Sequence, residues 1–180
     1  MIRAGLTGTN WTGKTETIKK FIEEHSELSI RTVSLSSLVK RCPYPMMENQ
    51  TIEASRWIIK QVKDICKNNS VEMELFDRTP IDILAFTLYA EDHTGHCDPT
   101  VRKNALKLME SFDMTFYLPP STEWPVNVYP SDNKIEFAKL MDAYMLKTIE
   151  YFKLDVIQIP WDFTKRQNIL CQHLLGVSTI

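Results

Sequence analysis

At 180 residues, 43% hydrophobic and 24% charged, the chain has the make-up of one soluble globular domain whose core needs no disulfides. Its 21 basic and 23 acidic residues leave a net charge of −2, which excludes a global field drawing it to nucleic acid or an anionic membrane, though not a local basic patch. No apolar run approaches ~18 residues, and the first strand is expected at Met1 or Ile2 with no room for a signal peptide, so a cytoplasmic protein without a membrane span is expected.

The predicted elements alternate between strand and helix. Residues 2–6 form a short apolar strand. Gly8-Thr9-Asn10-Trp11-Thr12-Gly13-Lys14-Thr15 then spells G-x-x-x-x-G-K-T, and residues 15–25 continue as a helix. A glycine-rich loop in this setting turns successive backbone N–H groups inward, toward the positive end of the following helix, and so cradles phosphate. Lys14 reaches the β- and γ-phosphates, and the Thr15 hydroxyl joins the Mg²⁺ shell. By composition such a string arises on the order of 10⁻⁴ times per position or less. The competing reading, a glycine turn that binds nothing, therefore gives way to a nucleoside triphosphate site built from Gly8 to Thr15, with ATP and Mg²⁺ as cofactors.

Residues 30–35 make a β-rich stretch ending among Ser34, Ser36 and Ser37. Ile52, Trp57, Ile58/Ile59, Val62 and Ile65/Cys66 recur at helical spacing, and Asn68-Asn69 closes that helix. Residues 71–76 read as a third strand, with Glu72 and Glu74 interrupting an apolar run, so its first half is expected to be partly exposed. Pro80 starts a helix striped by Ile81, Leu84/Ala85 and Leu88. Asp98-Pro99 is an N-cap followed by an N1 proline, ahead of Val101, Ala105 and Leu108/Met109. A fourth strand covers 114–118, a long helix runs from Phe137 to Phe152, a fifth strand covers 156–159, and a last helix covers 163–175. Alternating β and α implies a parallel sheet covered on both faces. Cys42, Cys66, Cys97 and Cys171 form no C-x-x-C pair and read as free thiols.

The third strand ends in Phe76-Asp77-Arg78-Thr79-Pro80, which puts an acid and a base at the carboxyl edge of the sheet, where open α/β sheets bind ligands. With Gly8–Thr15 and Asp77-Arg78 together, the chain resembles the nucleoside and nucleotide kinase group of P-loop proteins. The resemblance covers the whole chain in order of elements. It implies an α/β, three-layer P-loop kinase-like domain, a five-stranded parallel sheet with helices on both faces, spanning 1–180. It also implies that Asp77 sits near the Mg²⁺ and the acceptor, as general base or through metal-bound water, and that Arg78 holds phosphoryl oxygens. Phosphoryl transfer needs positioning and charge neutralisation more than covalent chemistry, so Lys14, Asp77 and Arg78 are the expected catalytic set and Thr15 and Asp77 the metal pair. The alternative for Asp77-Arg78 is a structural ion pair at a strand end.

Two features depart from the group. Many of its members carry several arginines in a lid after strand four, whereas 119–133 contains none. Its deoxynucleoside kinases place an acidic base after strand two, where this chain has serines. Arg41, Arg56 and Arg102 are candidate acceptor-binding residues, with solvated surface as the competing reading for each. Arg166 is expected near the adenine, and Trp161 is read as a partly buried core residue in preference to an adenine-stacking one. His93, His96 and Cys97 lack a fourth ligand and read as a loop, not a metal site. Substrate loops or lids are placed at 38–50, 93–100 and 119–134.

The function expected is transfer of the γ-phosphoryl of ATP to a nucleoside- or nucleotide-type acceptor, one within a polynucleotide included. Net charge does not indicate a nucleic-acid partner, and a monomer or homodimer is expected. A GTP switch calls for an N-K-x-D-like segment, which is absent. The alternative is an ATPase or nucleotide-binding module, but a motor or clamp usually ends this strand in an acidic pair.

Overall fold

The computed structural model describes residues 1–67, 71–121 and 132–176. Five parallel strands, β1 (Ile2–Thr7), β2 (Ile30–Ser34), β3 (Met73–Asp77), β4 (Met114–Tyr117) and β5 (Ile157–Gln158), lie in the order β2-β3-β1-β4-β5. The helices among the described residues are α1 (Lys14–Glu24), α2 (Leu35–Val39), α3 (Ile52–Ile65), α4 (Pro80–Thr94), α5 (Pro99–Met109), α6 (Asp132–Tyr151) and α7 (Phe163–Leu175). After β1 the chain moves out to the edge strand β2, returns inward to β3 beside β1, then passes to the other side for β4 and β5. The order therefore reverses at β1, and the crevice of a doubly wound sheet opens at its carboxyl end.

Strand alternation sorts the two faces. Met73 and Leu75 join Ala4, Leu6, Phe116, Phe21 and Leu170 beneath α1 and α7. Phe76 and Val33 face α3, α4 and α5 through Ile58, Val62, Leu84 and Ala105. Helix α4 is apolar on more than one side because α3 and α5 cover one flank and α6 the other, where Ala85 meets Met141 and Met145. Its start follows from local chemistry: Thr79 caps it, Pro80 occupies the first turn, and Asp82 completes a capping box. Asp98 caps α5 in the same manner, accepting from the Thr100 and Val101 amides.

Three expectations change. The exposure expected of the third strand's first half falls on Val71 and Glu72 and does not reach Glu74, which is 0% accessible, with Arg3 and Arg31 as its direct lateral neighbours on β1 and β2. Arg3 Nε donates to Glu74 Oε2 at 2.6 Å, and Arg31 Nη2 donates to Oε1. A carboxylate tolerates this depth because each oxygen receives a charged donor. Val71 and Glu72 precede the strand, and Glu72 is exposed. The segment 38–50 is not wholly loop: it takes in the end of α2 and a 3-10 turn at Met47–Asn49, elements too short to leave a periodic signal. The helix expected to close at Asn68-Asn69 ends at Ile65, and those asparagines lie outside the described residues. Most of the 119–134 lid, residues 122–131, lies outside them as well.

Candidate active site

The P-loop leaves the carboxyl end of β1 and feeds α1. Gly8 has φ 145°, and a Cβ there would lie 2.4 Å from the Leu118 carbonyl oxygen; Gly13 has φ 83° and would collide with Arg166 Nη1 at 2.8 Å. Both positions require glycine, for conformation and for space. Thr9 Oγ1 donates to the Ala138 carbonyl at 2.8 Å, which ties the loop to α6. Thr12 is buried and donates to the Thr9 carbonyl, while Trp11 takes a left-handed conformation at φ 62°.

Lys14 turns into the loop. Its Nζ donates to the Gly8 and Thr9 carbonyls at 2.8 and 2.6 Å and to Thr12 Oγ1 at 3.2 Å. The side chain is almost fully enclosed, and burial, reinforced by the Arg78 charge, pulls its pKa down from 10.5 to about 7. Thr15 Oγ1 donates to Asp77 Oδ2 at 2.5 Å. This meeting follows from register: Leu6 is the lateral partner of Asp77, so the P-loop and the end of β3 leave the sheet at the same level. A hydroxyl and a carboxylate side by side at a helix N-terminus are hard oxygen donors of the kind Mg²⁺ takes alongside phosphate oxygens, so the donor set fits the expected ion.

Arg78 follows immediately, in a left-handed conformation at φ 82° and with its amide on the Leu6 carbonyl. Its Nη1 donates to Asp82 Oδ1 at 2.8 Å and its Nη2 to Asn10 Oδ1. Asp82 is 2% exposed, and its Oδ2 accepts from Thr7 Oγ1 and the Thr79 amide, each at 2.8 Å. One buried carboxylate thus locks the β1 end, the start of α4 and the Arg78 fork. Sequence reading overlooked Asp82, although T-x-x-D after a strand is a capping-box signature. Beside Arg78 and Asp82 lies a cavity of about 40 Å³ walled by Leu35, Met46, Met47, Ile58, Ile83 and Phe86, with Gln50 and Ser55 as the remaining polar groups. Gln50 is buried, donating to Ser55 Oγ and accepting from the Met47 amide, both at 3.3 Å.

Lys14, Thr15, Asp77 and Arg78 are therefore brought together with the loop residues, Asn10 on Arg78 among them, whereas Arg41, Arg56 and Arg102 are not. Arg41, Arg56 and Arg102 do not line the cavity beside Arg78. Arg41 is exposed just beyond α2. Arg56 pairs with Asp98 and Glu53, and Arg102 pairs with Glu91 and touches Cys97. Arg166 is 2% exposed and acts behind the loop: it donates to Pro160 O and Thr12 O at 2.7 and 2.8 Å and to Thr17 Oγ1 at 3.3 Å. Its guanidinium faces the P-loop backbone and stacks 4.9 Å from Trp161, which is 40% exposed and not a core residue. Arg166 is thus a brace for the loop. His93 stacks on Tyr89, and no cluster of three metal-ligating side chains exists among the described residues.

No family model and no curated protein matches the chain. Solved structures do. It is similar to deoxyadenosine kinase from M. mycoides, solved with products dCMP and a flexible dCDP, at 14% identity and TM-score 0.66 over 98% of this chain and 100% of that one. It is similar to thymidylate kinase from Ehrlichia chaffeensis at 12% identity and TM-score 0.66, covering 94% and 98%. A third similarity, at 12% identity and TM-score 0.71, is to NadR protein in complex with NR; it covers 99% of this chain and 53% of that one. At these identities the likeness is one of fold, and the fold is the α/β P-loop kinase fold that the three share with this chain.

Proposed function

We propose that the protein is a kinase that transfers the γ-phosphoryl of ATP to the hydroxyl of a neutral, nucleoside-type acceptor. The observation that carries this reading is the contact of Thr15 Oγ1 with Asp77 Oδ2 at the mouth of the P-loop, with Arg78, the next residue along the chain, lining an apolar cavity. Bound Mg²⁺ would supply charge neutralisation between the phosphates, held by Thr15 and Asp77. Lys14 would exchange its loop oxygens for phosphate oxygens, Asp77 would take the acceptor's hydroxyl proton directly or through metal-bound water, and Arg78 would neutralise charge on the transferred group.

The neutral acceptor follows from where the arginines are. A phosphate-bearing acceptor is normally gripped by guanidinium forks. Here, among the described residues, Arg78 is the one arginine that lines the cavity, and it is already matched by Asp82, while the other walls are apolar apart from an amide and a hydroxyl. That lining suits a flat, uncharged ring with a few hydrogen-bonding edges. A cavity of about 40 Å³ admits no ring as it stands, so acceptor entry moves the Met46–Met47 wall, whose flexible thioethers repack readily.

The test is ATP turnover against a panel of nucleosides, their 5′-monophosphates and oligonucleotides. Bare nucleosides are expected to give the highest kcat/KM. Turnover that no acceptor accelerates would instead favour an ATPase. Asp77→Asn is expected to lower kcat about 10²-fold while the melting midpoint holds. If the midpoint fell and the remaining folded protein kept its rate, Asp77 would be a structural partner of the P-loop alone.

A further inference from the structure

A second surface has chemistry that phosphotransfer does not use. Helices α3 and α5 bound a groove of about 430 Å³. Arg56, Lys60, Lys63, Lys67 and Lys107 line it over a floor that includes Ile59 and Leu108, and no carboxylate among the described residues contributes to the lining. In a chain of net charge −2 this is a strong local concentration of one sign. Arg56 is partly neutralised by Asp98 and Glu53 and Lys67 by Asp64, whereas Lys60, Lys63 and Lys107 make no ion pair among the described residues.

The groove is distinct from the candidate active site. Its Cys66 and Ser111 end lies where those two carbonyls accept from Arg3, near the amino end of β1, whereas the P-loop leaves the carboxyl end of the same strand. A ligand there leaves the cavity beside Arg78 open.

The arrangement also says what kind of anion fits. Arg56, Lys60, Lys63 and Lys67 recur every three or four residues, forming a row about 16 Å long at ~1.5 Å per residue. A single phosphate is held by donors converging on one point, but these are exposed and strung out, which matches a ligand with repeated charges. One nucleic-acid strand presents a phosphate every ~3.4 Å along a helix, so the row spans roughly five. Lysine acts as a point charge and reads backbone, not bases, and among the described residues no aromatic ring lines the groove to stack a base.

We propose that the α3–α5 groove binds the phosphate backbone of a nucleic-acid strand, without sequence preference and independently of the phosphotransfer site. Fluorescence anisotropy with a labelled, mixed-sequence 20-nucleotide DNA tests this. Neutralising three or four phosphates predicts a 20- to 50-fold loss of affinity, roughly, between 50 and 200 mM salt. Lys60→Glu/Lys63→Glu/Lys107→Glu is expected to weaken binding at least tenfold with ATP turnover unchanged, and Lys14→Ala to bind the strand normally. Should the charge-reversed protein fold poorly, Lys60→Gln/Lys63→Gln/Lys107→Gln is expected to weaken binding in the same direction with its melting midpoint intact. The proposal is overturned by no binding at 50 mM salt, by unaltered binding in the glutamine variant, by loss of binding in Lys14→Ala, or by equal displacement with an acidic peptide of the same charge.

Discussion

Lys14→Ala is expected to lower kcat/KM for ATP-dependent turnover by about 30- to 1000-fold. That corresponds to about 2–4 kcal/mol for one charge-assisted contact in a water-poor site. The ammonium is almost fully enclosed by loop oxygens, so no neighbouring lysine or water replaces it. Stability should not fall with activity. Burial lowers the folded pKa to about 7 from 10.5, so between those values the unfolded chain binds more protons than the folded one. The contribution of Lys14 to stability thus grows as pH rises from 7 toward 10.5, and at neutral pH its ionised form is a burden on the fold. The alanine variant should melt at or above the wild-type midpoint at pH 7 and lose that upward slope. Wild-type turnover in the variant would show that the loop does not hold a triphosphate. A large drop in midpoint would show instead that the three hydrogen bonds outweigh the cost of burying the charge.

Glu74→Gln carries the largest expected effect on stability, about 3–5 kcal/mol, with little change in the activity of molecules that remain folded. The substitution removes the charge that matches two guanidinium groups in the layer between the sheet and α3 and α5. Arg3 and Arg31 keep their bonds to the carbonyls of Ser111, Cys66 and Ile65 but lose the carboxylate that both share. Removing the whole constellation differs from breaking it: Arg3→Met/Glu74→Leu/Arg31→Met should recover most of the loss, because a buried ion network and a well-packed apolar cluster of similar volume are often close in free energy. Urea denaturation of the single and triple variants measures both. A cost under about 1 kcal/mol for Glu74→Gln would mean that water reaches the site and screens the pair.

Much of this architecture is legible in the sequence because its causes are local. Pro80 and Pro99 open α4 and α5 where a missing N–H costs nothing, with Asp98 capping the second. Gly8 and Gly13 occupy backbone conformations that only glycine takes cheaply. The phosphate loop is a contiguous string, so Lys14 and Thr15 follow from spacing alone, and the alternation of strand and helix fixes the class of sheet.

What the sequence does not disclose depends on lateral register and on the direction of long side chains. Glu74 reads as an interruption of a strand until β1 and β2 place Arg3 and Arg31 beside it on the same row. Arg41, Arg56 and Arg102 read as a possible anion clamp because each falls in a segment near the carboxyl edge. An arginine reaches far enough to turn away from such an edge, and local carboxylates pair with these instead: Glu53 and Asp98 with Arg56, and the buried Glu91 with Arg102. Arg166 lies 152 positions from Lys14, yet the fold presses α7 against α1 and aims its guanidinium at the Thr12 carbonyl. Asp82 carried a signature of helix capping, and only the docking of β1 against the start of α4 gave its second oxygen Thr7 and its first Arg78. Spacing along the chain was enough to place a G-x-x-x-x-G-K-T loop after the first strand of a parallel sheet. The tertiary structure decided which charges face that loop, because charges far apart along the chain meet only when the strands are in register.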